Sequence, residues 1–208
     1  MKKPLYLQIK EKFQLGPASH MTHISNLQEI VKNDLLSHNQ MLNQNYFDLS
    51  DASVQLGREQ KLIPHTQLNL HDFVPIYFGW KTPMVMQHQD KNEDIIFLRF
   101  SLDILETQGT YFTDGNARSN KTQFFSFTEL DSLSVLNPKA INDVKWVGDN
   151  EKKRQKQAEI LVPNRVLFSQ VFDMICYSDA AKNRILDILR KSGITKQVWV
   201  NDGWYYKP

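Results

Sequence analysis

The segment Glu151-Lys-Lys-Arg-Gln-Lys-Gln-Ala-Glu-Ile-Leu-Val-Pro163 is the most informative stretch of the chain, because four basic side chains precede one acid embedded in an apolar run. Residues 158–162 are compact and apolar and are closed by a proline, which predicts a short strand. Alternation along that strand puts Glu159 and Leu161 on one face and the other three side chains on the opposite face. The spacing alone favours a solvated basic loop and an outward-facing carboxylate, so a functional role for Glu159 needs support from other segments.

Further strands are predicted on both sides of this segment. The runs Phe73-Val-Pro-Ile-Tyr-Phe78 and Ile95-Ile-Phe-Leu-Arg-Phe100 are aromatic and β-branched, and Pro75 places the first of them on an edge or at a bulge. Tyr111-Phe-Thr-Asp-Gly-Asn116 predicts a short strand that enters a turn. The last strands are expected at 197–200 and 204–206, joined as a hairpin through Asn201-Asp-Gly203.

Helices are predicted between these strands. Ser25-Asn-Leu-Gln28 has the form of a capping box, so a helix should begin at Ser25. Residues 37–70 are polar without sustained periodicity and are expected to be a long irregular segment. Helical pieces are expected at 129–136 and 140–146, and a helix capped by Ser178 should run to Lys191, with Gly193 as its stop. An early helix, scattered short strands and later helices indicate an α+β fold rather than a doubly wound sheet.

Composition limits the class of protein. A chain of 208 residues with 41% apolar content predicts one domain, residues 1–208. A formal net charge of +2 gives no global field that would require a nucleic-acid or membrane partner. Cys176 is the only cysteine, which excludes an internal disulfide and fits a reducing cytoplasm. Neither an export signal nor an apolar run of membrane-spanning length is present, so we expect no membrane partner.

Three groups of residues are candidates for binding or chemistry. His20-Met-Thr-His23 precedes a predicted helix, where backbone donors can hold a phosphate or polar ligand, although a structural histidine is the alternative. The two histidines lack a third ligand at metal spacing, so no metal site is predicted. Arg58 could reach an anionic ligand from its polar loop, or it could simply be solvated. Tyr77, Phe78 and Trp80 could form a stacking surface for nicotinamide or a base. Alternatively, these aromatic residues belong to the core.

Six ordered segments together resemble the DarT family, toxins that ADP-ribosylate bases in single-stranded DNA and are paired with a macrodomain antitoxin, DarG. The Gln-Ala-Glu-Ile-Leu-Val block and the Asp-Gly-Asn turn are the most specific of them. The segments run through most of the chain and are His20 to Leu27, Asp72 to Gly79, Thr82-Pro-Met84, Tyr111 to Ala117, Arg154 to Val162 and Trp204-Tyr-Tyr206.

The resemblance implies an ADP-ribosyltransferase fold, a split β-sheet core flanked by helices, with NAD as co-substrate in the cleft between its halves. It assigns Glu159 as the catalytic glutamate and Arg58 as the catalytic arginine, although the surroundings of Arg58 lack the basic neighbours common in the family. It also implies a set of NAD-binding residues, which are His20, Met21, Thr22, Asn26, Arg58 and Tyr77.

The chemistry suits these residue types. Loss of nicotinamide leaves positive charge on the ribose, which a carboxylate near the sugar hydroxyls can stabilise. The accepting base nitrogen must lose a proton, and Arg58, Glu159 or a water are all candidates for its acceptor. Four cations could bind along the phosphate backbone of single-stranded DNA, namely Lys152, Lys153, Arg154 and Lys156.

Two alternatives share parts of this interpretation. A protein-directed ADP-ribosyltransferase would cleave NAD in the same way but would modify side chains. A non-catalytic nucleic-acid-binding module would leave Glu159 as an exposed strand residue. The sequence does not distinguish thymine from guanine as the accepting base.

Overall fold

The structure is a computed structural model that describes residues 3–41, 46–50 and 52–207. Within these residues the strands are β1 (Ala18–His23), β2 (Leu35–Leu36), β3 (Phe73–Tyr77), β4 (Ile95–Phe100), β5 (Tyr111–Thr113), β6 (Phe124–Ser126), β7 (Glu159–Pro163), β8 (Arg165–Val166), β9 (Val171–Cys176) and β10 (Gln197–Val200). The α-helices are α1 (Leu5–Phe13), α2 (Leu27–Asn33), α3 (Ala52–Glu59), α4 (Pro83–Gln87), α5 (Pro138–Asn142), α6 (Asn150–Gln155) and α7 (Asp179–Lys191).

Eight of these strands form one sheet, in the order β10-β9-β4-β1-β3-β7-β5-β6, and β2 pairs with β8 separately. Neighbours in the large sheet are antiparallel except β9 and β10, which are parallel. Helices flank this mixed sheet, which confirms the predicted α+β class. No helix in the described part of the chain is long and apolar enough to cross a membrane.

The sheet is split at its centre, between β1 and β3. Strand β1 pairs with β4 along its whole length, from Ala18 to His23, but pairs with β3 only where Ser19 faces Tyr77. Beyond that pair the two strands separate, while β3 stays paired with β7 through five residues. The predicted split core is therefore present, and its gap opens along β3, whose other edge pairs with β7, the strand that carries Glu159.

Pro75 lies inside the sheet, so its predicted position on an edge was wrong. Phe78 donates its N–H to the Ala158 carbonyl on the β7 side, and by alternation the Pro75 nitrogen points to the opposite side, into the gap. The ladder to β1 has ended there, so the missing N–H of proline breaks no strand pairing.

The two faces of β7 have different environments, as alternation predicts. Ile160 and Val162 belong to the main core, whereas Leu161 packs in a smaller cluster with Phe73 and Ala117. Glu159 shares the face of Leu161 and is 0% exposed. The outward-facing interpretation of this carboxylate was wrong, because the turn that follows β5 covers it.

Several predicted helix and turn boundaries need correction. The helix expected at Ser25 begins with a 3₁₀ turn at Ile24, which is capped by the side chain of His23, and becomes α-helical at Leu27. The expected irregular segment 37–70 falls partly outside the described residues, and its described part contains helix α3, so Arg58 lies on a helix rather than in a loop. The first later helical piece is a 3₁₀ helix over Leu130–Val135, and the second, α5, ends at Asn142 before Trp146.

The carboxy-terminal region is partly as predicted. Ser178 caps α7 by accepting from the Ala181 N–H, and Gly193 follows the helix with a φ of +67°. The hairpin at Asn201-Asp-Gly203 was wrong, because β10 pairs in parallel with β9 and residues Asp202–Trp204 form a 3₁₀ turn. The local turn signal is real, but the rings that follow it pack on the sheet instead of continuing as a strand.

Candidate active site

Glu159 is held by the turn that follows β5. Its Oε1 accepts the backbone N–H of Ala117 at 2.9 Å, and its own backbone N–H donates to Thr113 Oγ1 at 3.0 Å. Thr113 Oγ1 in turn donates to the Gly115 carbonyl at 2.7 Å, which fixes the shape of the turn. Glu159 is thus fixed at the start of β7 by residues of the Tyr111 to Ala117 segment.

Arg58 meets Glu159 from helix α3. Its Nη1 donates to Glu159 Oε2 at 3.0 Å, and the two side chains are 11% and 1% exposed. Burial by itself lowers the pKa of Arg58, but the charge of Glu159 and the nearby Tyr77 outweigh burial and raise it. The guanidinium is therefore cationic at any physiological pH. The two residues lie 101 positions apart and form a buried ion pair.

One nitrogen of that guanidinium is left without a partner. Among the described residues no group accepts a hydrogen bond from Arg58 Nη2, although the atom is buried. Arg58 lines a cleft together with His20, Thr22, Pro75 and Tyr77. An unpaired buried donor is costly, and a donor at a cleft wall fits an oxygen of an anionic ligand.

His20 borders the gap between β1 and β3. Its Nδ1 lies 2.8 Å from the Pro75 carbonyl oxygen, which can only accept, so Nδ1 carries the proton. Burial lowers the pKa of His20, the Pro75 hydrogen bond partly opposes this, and the charge of Arg58 lowers it further. The ring is therefore neutral at pH 7, and its Nε2 is an acceptor.

Thr22 and Asn26 connect β1 to the segment at residues 46–50. Asn26 Nδ2 donates to Thr22 Oγ1 at 3.1 Å and to the Phe47 carbonyl at 2.9 Å, and Asn26 Oδ1 accepts from Phe47 N. The Phe47 ring stacks on His23 with centroids 4.1 Å apart. These contacts place Thr22 and Asn26 at one wall of the cleft, which Met21 also lines.

The three aromatic residues after β3 have separate environments. Tyr77 lines the cleft directly opposite Glu159, and burial, together with that carboxylate, raises the pKa of its hydroxyl, which therefore remains protonated. Phe78 is a core residue. Trp80 lies 5.8 Å from the Trp204 ring, outside the cleft. The predicted stacking surface is therefore represented in the cleft by Tyr77 alone.

The four basic residues before Glu159 lie on helix α6 and in the turn after it, not in a loop. Lys152 pairs with Asp143 at 2.9 Å. Arg154 forms an ion pair at 2.9 Å with Asp114, which lies in the turn after β5 that holds Glu159, called here the Glu159 turn. Lys156 is 1% exposed and donates to the Ile141 carbonyl. Lys153 is exposed, with its amino group above the Trp146 ring. Their role in DNA binding stays a prediction, and the geometry leaves Lys153 the best placed for it.

Sequence reasoning missed several residues of the cleft. Gln55, His38 and His71 line it, Ala117 holds the Glu159 carboxylate, and Thr113 holds the Glu159 backbone. The Tyr111 to Ala117 segment signalled the last two, but no pattern linked a glutamine at 55 with a histidine at 71. In the described residues no group of three or more His, Cys, Asp or Glu side chains could hold a metal ion.

A buried carboxylate and a cationic guanidinium with an unpartnered donor, beside a cleft at the gap of a split sheet, fit a site that binds an anionic substrate and stabilises positive charge developing on it. Comparison with known proteins gives the family. The sequence model of the DarT family, described as ssDNA thymidine ADP-ribosyltransferase, matches residues 19–206, and the chain belongs to that family. The predicted family and the predicted enzyme class, NAD-dependent DNA ADP-ribosyltransferase, are confirmed.

Curated relatives carry the same description. A DNA ADP-ribosyl transferase of Thermus sp. (strain 2.9) is 29% identical over 203 residues, which cover 91% of this chain and 96% of the relative. One from Escherichia coli O127:H6 is 27% identical over 199 residues, covering 89% and 91%. A DNA ADP-ribosyl transferase-DNA ADP-ribosyl glycohydrolase fusion protein of Thermosipho africanus is 29% identical over 71% of this chain and 39% of its own length.

Solved structures agree in fold. Thermus sp. 2.9 DarT in complex with ADP-ribosylated ssDNA superposes with a TM-score of 0.85 at 28% identity, covering 93% of this chain and 97% of that one. The same protein in complex with NAD+ gives a TM-score of 0.80 at 27% identity, covering 91% and 97%. The split-sheet fold predicted from the resemblance is confirmed.

Proposed function

We propose that this chain transfers ADP-ribose from NAD to a thymine base of single-stranded DNA and releases nicotinamide. The observation that carries the proposal is the buried Glu159–Arg58 pair, in which Arg58 lines the cleft and its Nη2 has no partner among the described residues. In the reaction the bond from ribose C1′ to the nicotinamide nitrogen breaks. A bond from C1′ to a base nitrogen forms, and the proton of that nitrogen leaves.

Glu159 is the catalytic carboxylate of this proposal. Two donors fix its oxygens, Ala117 N on Oε1 and Arg58 Nη1 on Oε2, so the charge is oriented before the substrate binds. A fixed negative charge in a site shielded from water stabilises positive charge that develops on the ribose as nicotinamide leaves. No reorganisation of solvent is then needed during the reaction.

Arg58 binds the substrate through Nη2, the nitrogen that has no partner among the described residues. Nη2 can donate to a pyrophosphate oxygen or to a carbonyl oxygen of the accepting base. Such a donor on the base would also lower the cost of losing the proton from the base nitrogen. The acceptor of that proton is Glu159 or a water that Arg58 positions.

The cleft fits NAD by the kinds of group that it offers. Neutral His20 supplies an acceptor at Nε2, and Tyr77 supplies a hydroxyl donor. Thr22 and Asn26 supply polar groups that the hydrogen bond from Asn26 Nδ2 to Thr22 Oγ1 holds in place. The ligand supplies the ADP-ribose group and the nicotinamide leaving group, and these residues orient it. The predicted NAD-binding set thus lines one continuous cleft.

The partners of this activity follow from its product. ADP-ribosylated DNA blocks replication, so a cell that makes this enzyme needs a glycohydrolase that removes the group. A relative in which the two activities are fused in one chain supports a partner of this kind, a DarG-like macrodomain antitoxin. We place the enzyme in the cytoplasm, where NAD and DNA occur together, and propose that residues 1–208 act as one domain.

A mixed pool of single-stranded oligonucleotides incubated with NAD tests the proposal. Mass spectrometry should detect one added ADP-ribose group on thymine-containing strands with wild-type protein and none with Glu159→Gln. Addition on guanine would change the base assignment only. Labelling of added protein without labelling of DNA would favour the protein-directed alternative, and NAD that stays intact would contradict both.

A further inference from the structure

Helix α3, which carries Arg58, is attached to the molecule mainly through polar contacts. Over its length Ala52–Glu59 no residue is fully buried, and Leu56 is 55% exposed. A helix that buries little apolar surface gains little from packing, and isolated helices of this length are not stable in water. The position of the Arg58 guanidinium therefore depends on the few side chains that hold α3.

Gln55 makes two such contacts near Arg58, and Arg118 makes another by donating to the Ser53 carbonyl at 3.3 Å. Gln55 precedes Arg58 by three residues, so the two side chains lie on the same side of the helix. Gln55 Oε1 lies 2.9 Å from His71 Nε2, and Gln55 Nε2 donates to Asp48 Oδ2 at 2.8 Å. One amide thus connects α3 to the start of β3 and to the segment at residues 46–50.

The direction of these hydrogen bonds is fixed by their chemistry. A carboxylate such as Asp48 can only accept, so the amide nitrogen of Gln55 faces it and the amide oxygen faces His71. His71 must then carry its proton on Nε2. Burial lowers the pKa of His71, and the charges of His38 and Arg58 lower it further while Glu59 and Asp72 oppose them, so the ring is neutral at pH 7.

His71 is itself fixed in place. Its side chain is 5% exposed, and its ring stacks on His38 with centroids 4.0 Å apart. Its backbone N–H donates to the Asn69 side chain within a capping box that precedes β3. The donor that reaches Gln55 therefore comes from a rigid part of the fold.

We propose that Gln55 and His71 are positioning residues, which hold helix α3 so that Arg58 meets Glu159 and presents its free nitrogen to the cleft. This inference rests on the proposed function, because it assigns the two residues an action through Arg58. Displacement of a catalytic group by about 1 Å can cost on the order of a hundredfold in rate. Loss of the Gln55 amide should therefore lower turnover through displacement of Arg58, and the coupling of the two residues distinguishes this from a direct contact of Gln55, which also lines the cleft, with the substrate.

The first test compares two substitutions on the same helix. Gln55→Met keeps the length of the side chain and removes both hydrogen bonds, whereas Leu56→Ala changes an exposed neighbour. At saturating NAD and oligonucleotide we expect kcat to fall at least about tenfold for Gln55→Met and to stay within about twofold for Leu56→Ala. Equal kcat for Gln55→Met and wild type, at an unchanged melting temperature, would overturn the proposal.

A double-mutant cycle separates positioning from general loss of structure. If Gln55 acts through the guanidinium of Arg58, Gln55→Met should cost far less in an Arg58→Lys background than in the wild type. Losses that simply multiply would show that Gln55 has no coupling to Arg58. His71→Gln, which can return a donor to Gln55, should be more active than His71→Phe, which keeps only the stacking ring; equal activity of the two would also overturn the proposal.

Failure of this proposal can be told apart from failure of the proposed function. Full activity of Arg58→Ala would remove the catalytic role of the arginine itself. Active Gln55→Met beside inactive Arg58→Ala would leave that role in place and exclude only the positioning role.

Discussion

Glu159 combines full burial with a negative charge, which a protein tolerates only when the charge is paired and hydrogen-bonded. Its two oxygens have one partner each, the Ala117 N–H and the Arg58 guanidinium. Among the described residues Arg58 pairs with no other carboxylate, and its Nη2 has no hydrogen-bond partner. The two side chains therefore depend on each other for stability as well as for chemistry.

This dependence predicts different effects for two substitutions of Glu159. Glu159→Ala leaves the buried Arg58 without its counter-charge and should lower the free energy of unfolding by about 3–5 kcal/mol. Glu159→Gln keeps the shape and an acceptor for Ala117 N, and should destabilise less while still abolishing transfer. Urea unfolding together with labelled ADP-ribose transfer checks both. Glu159→Ala with wild-type stability would show that solvent compensates Arg58.

At the scale of the element, helix α6 and the Glu159 turn are joined by one side chain. Arg154 donates to both oxygens of Asp114 and to Thr122 Oγ1, and its carbonyl accepts from Asn116 N. Gly115 permits this approach, because a Cβ there would meet Arg154 Nη1 at 2.5 Å. The basic helix thus supports the turn that holds Glu159.

Two cations of this helix should accordingly differ in effect. The Arg154 side chain is 10% exposed, and we expect Arg154→Ala to lower the free energy of unfolding by about 3–5 kcal/mol. Lys153 is exposed, so we expect Lys153→Ala to leave the free energy of unfolding unchanged. The same substitution should reduce the slope of log affinity for single-stranded DNA against log salt concentration by about 0.7. Fluorescence anisotropy at several salt concentrations measures the slope. An unchanged slope would show that Lys153 of α6 does not contact the DNA phosphates.

At the scale of the whole molecule, buried histidines should make stability depend on pH. Burial lowers the pKa of His20 below its usual 6.5, and the pKa values of His23 and His71 are lowered as well, in each case chiefly by burial. The unfolded chain therefore binds more protons than the folded one just below pH 6.5. Stability is complete above that pH and is lost as pH falls toward the folded pKa values.

Replacement of His20 tests this sign. His20→Asn keeps a donor for the Pro75 carbonyl and removes the titration, so unfolding midpoints measured between pH 7.0 and 5.5 should fall less steeply than for wild type. The control is His65→Asn, at an exposed position with a φ of +62° that asparagine tolerates, and it should leave the slope unchanged. A His20→Asn slope equal to that of wild type would exclude His20 from the pH dependence.

The sequence determined much of this protein through local rules. The strand over residues 158–162, the caps of α7 and the strands around Pro75 and Phe97 depend on residues that are close in the sequence. The sequence pattern alone therefore predicted these elements. The resemblance, which rests on six short segments, also selected Glu159 and Arg58 from all acids and cations of the chain.

Only the tertiary structure determined which groups contact Glu159 and Arg58. Pairing of β7 with β3 and coverage by the Ala117 turn buried Glu159, which the local pattern favoured as exposed. Helix α3 and its contact with His71 depend on residues 16 positions apart, and the Arg58–Glu159 pair on residues 101 apart. Local sequence fixes backbone preference within a few residues, whereas burial, ion pairing and the gap between β1 and β3 arise only when distant segments pack together.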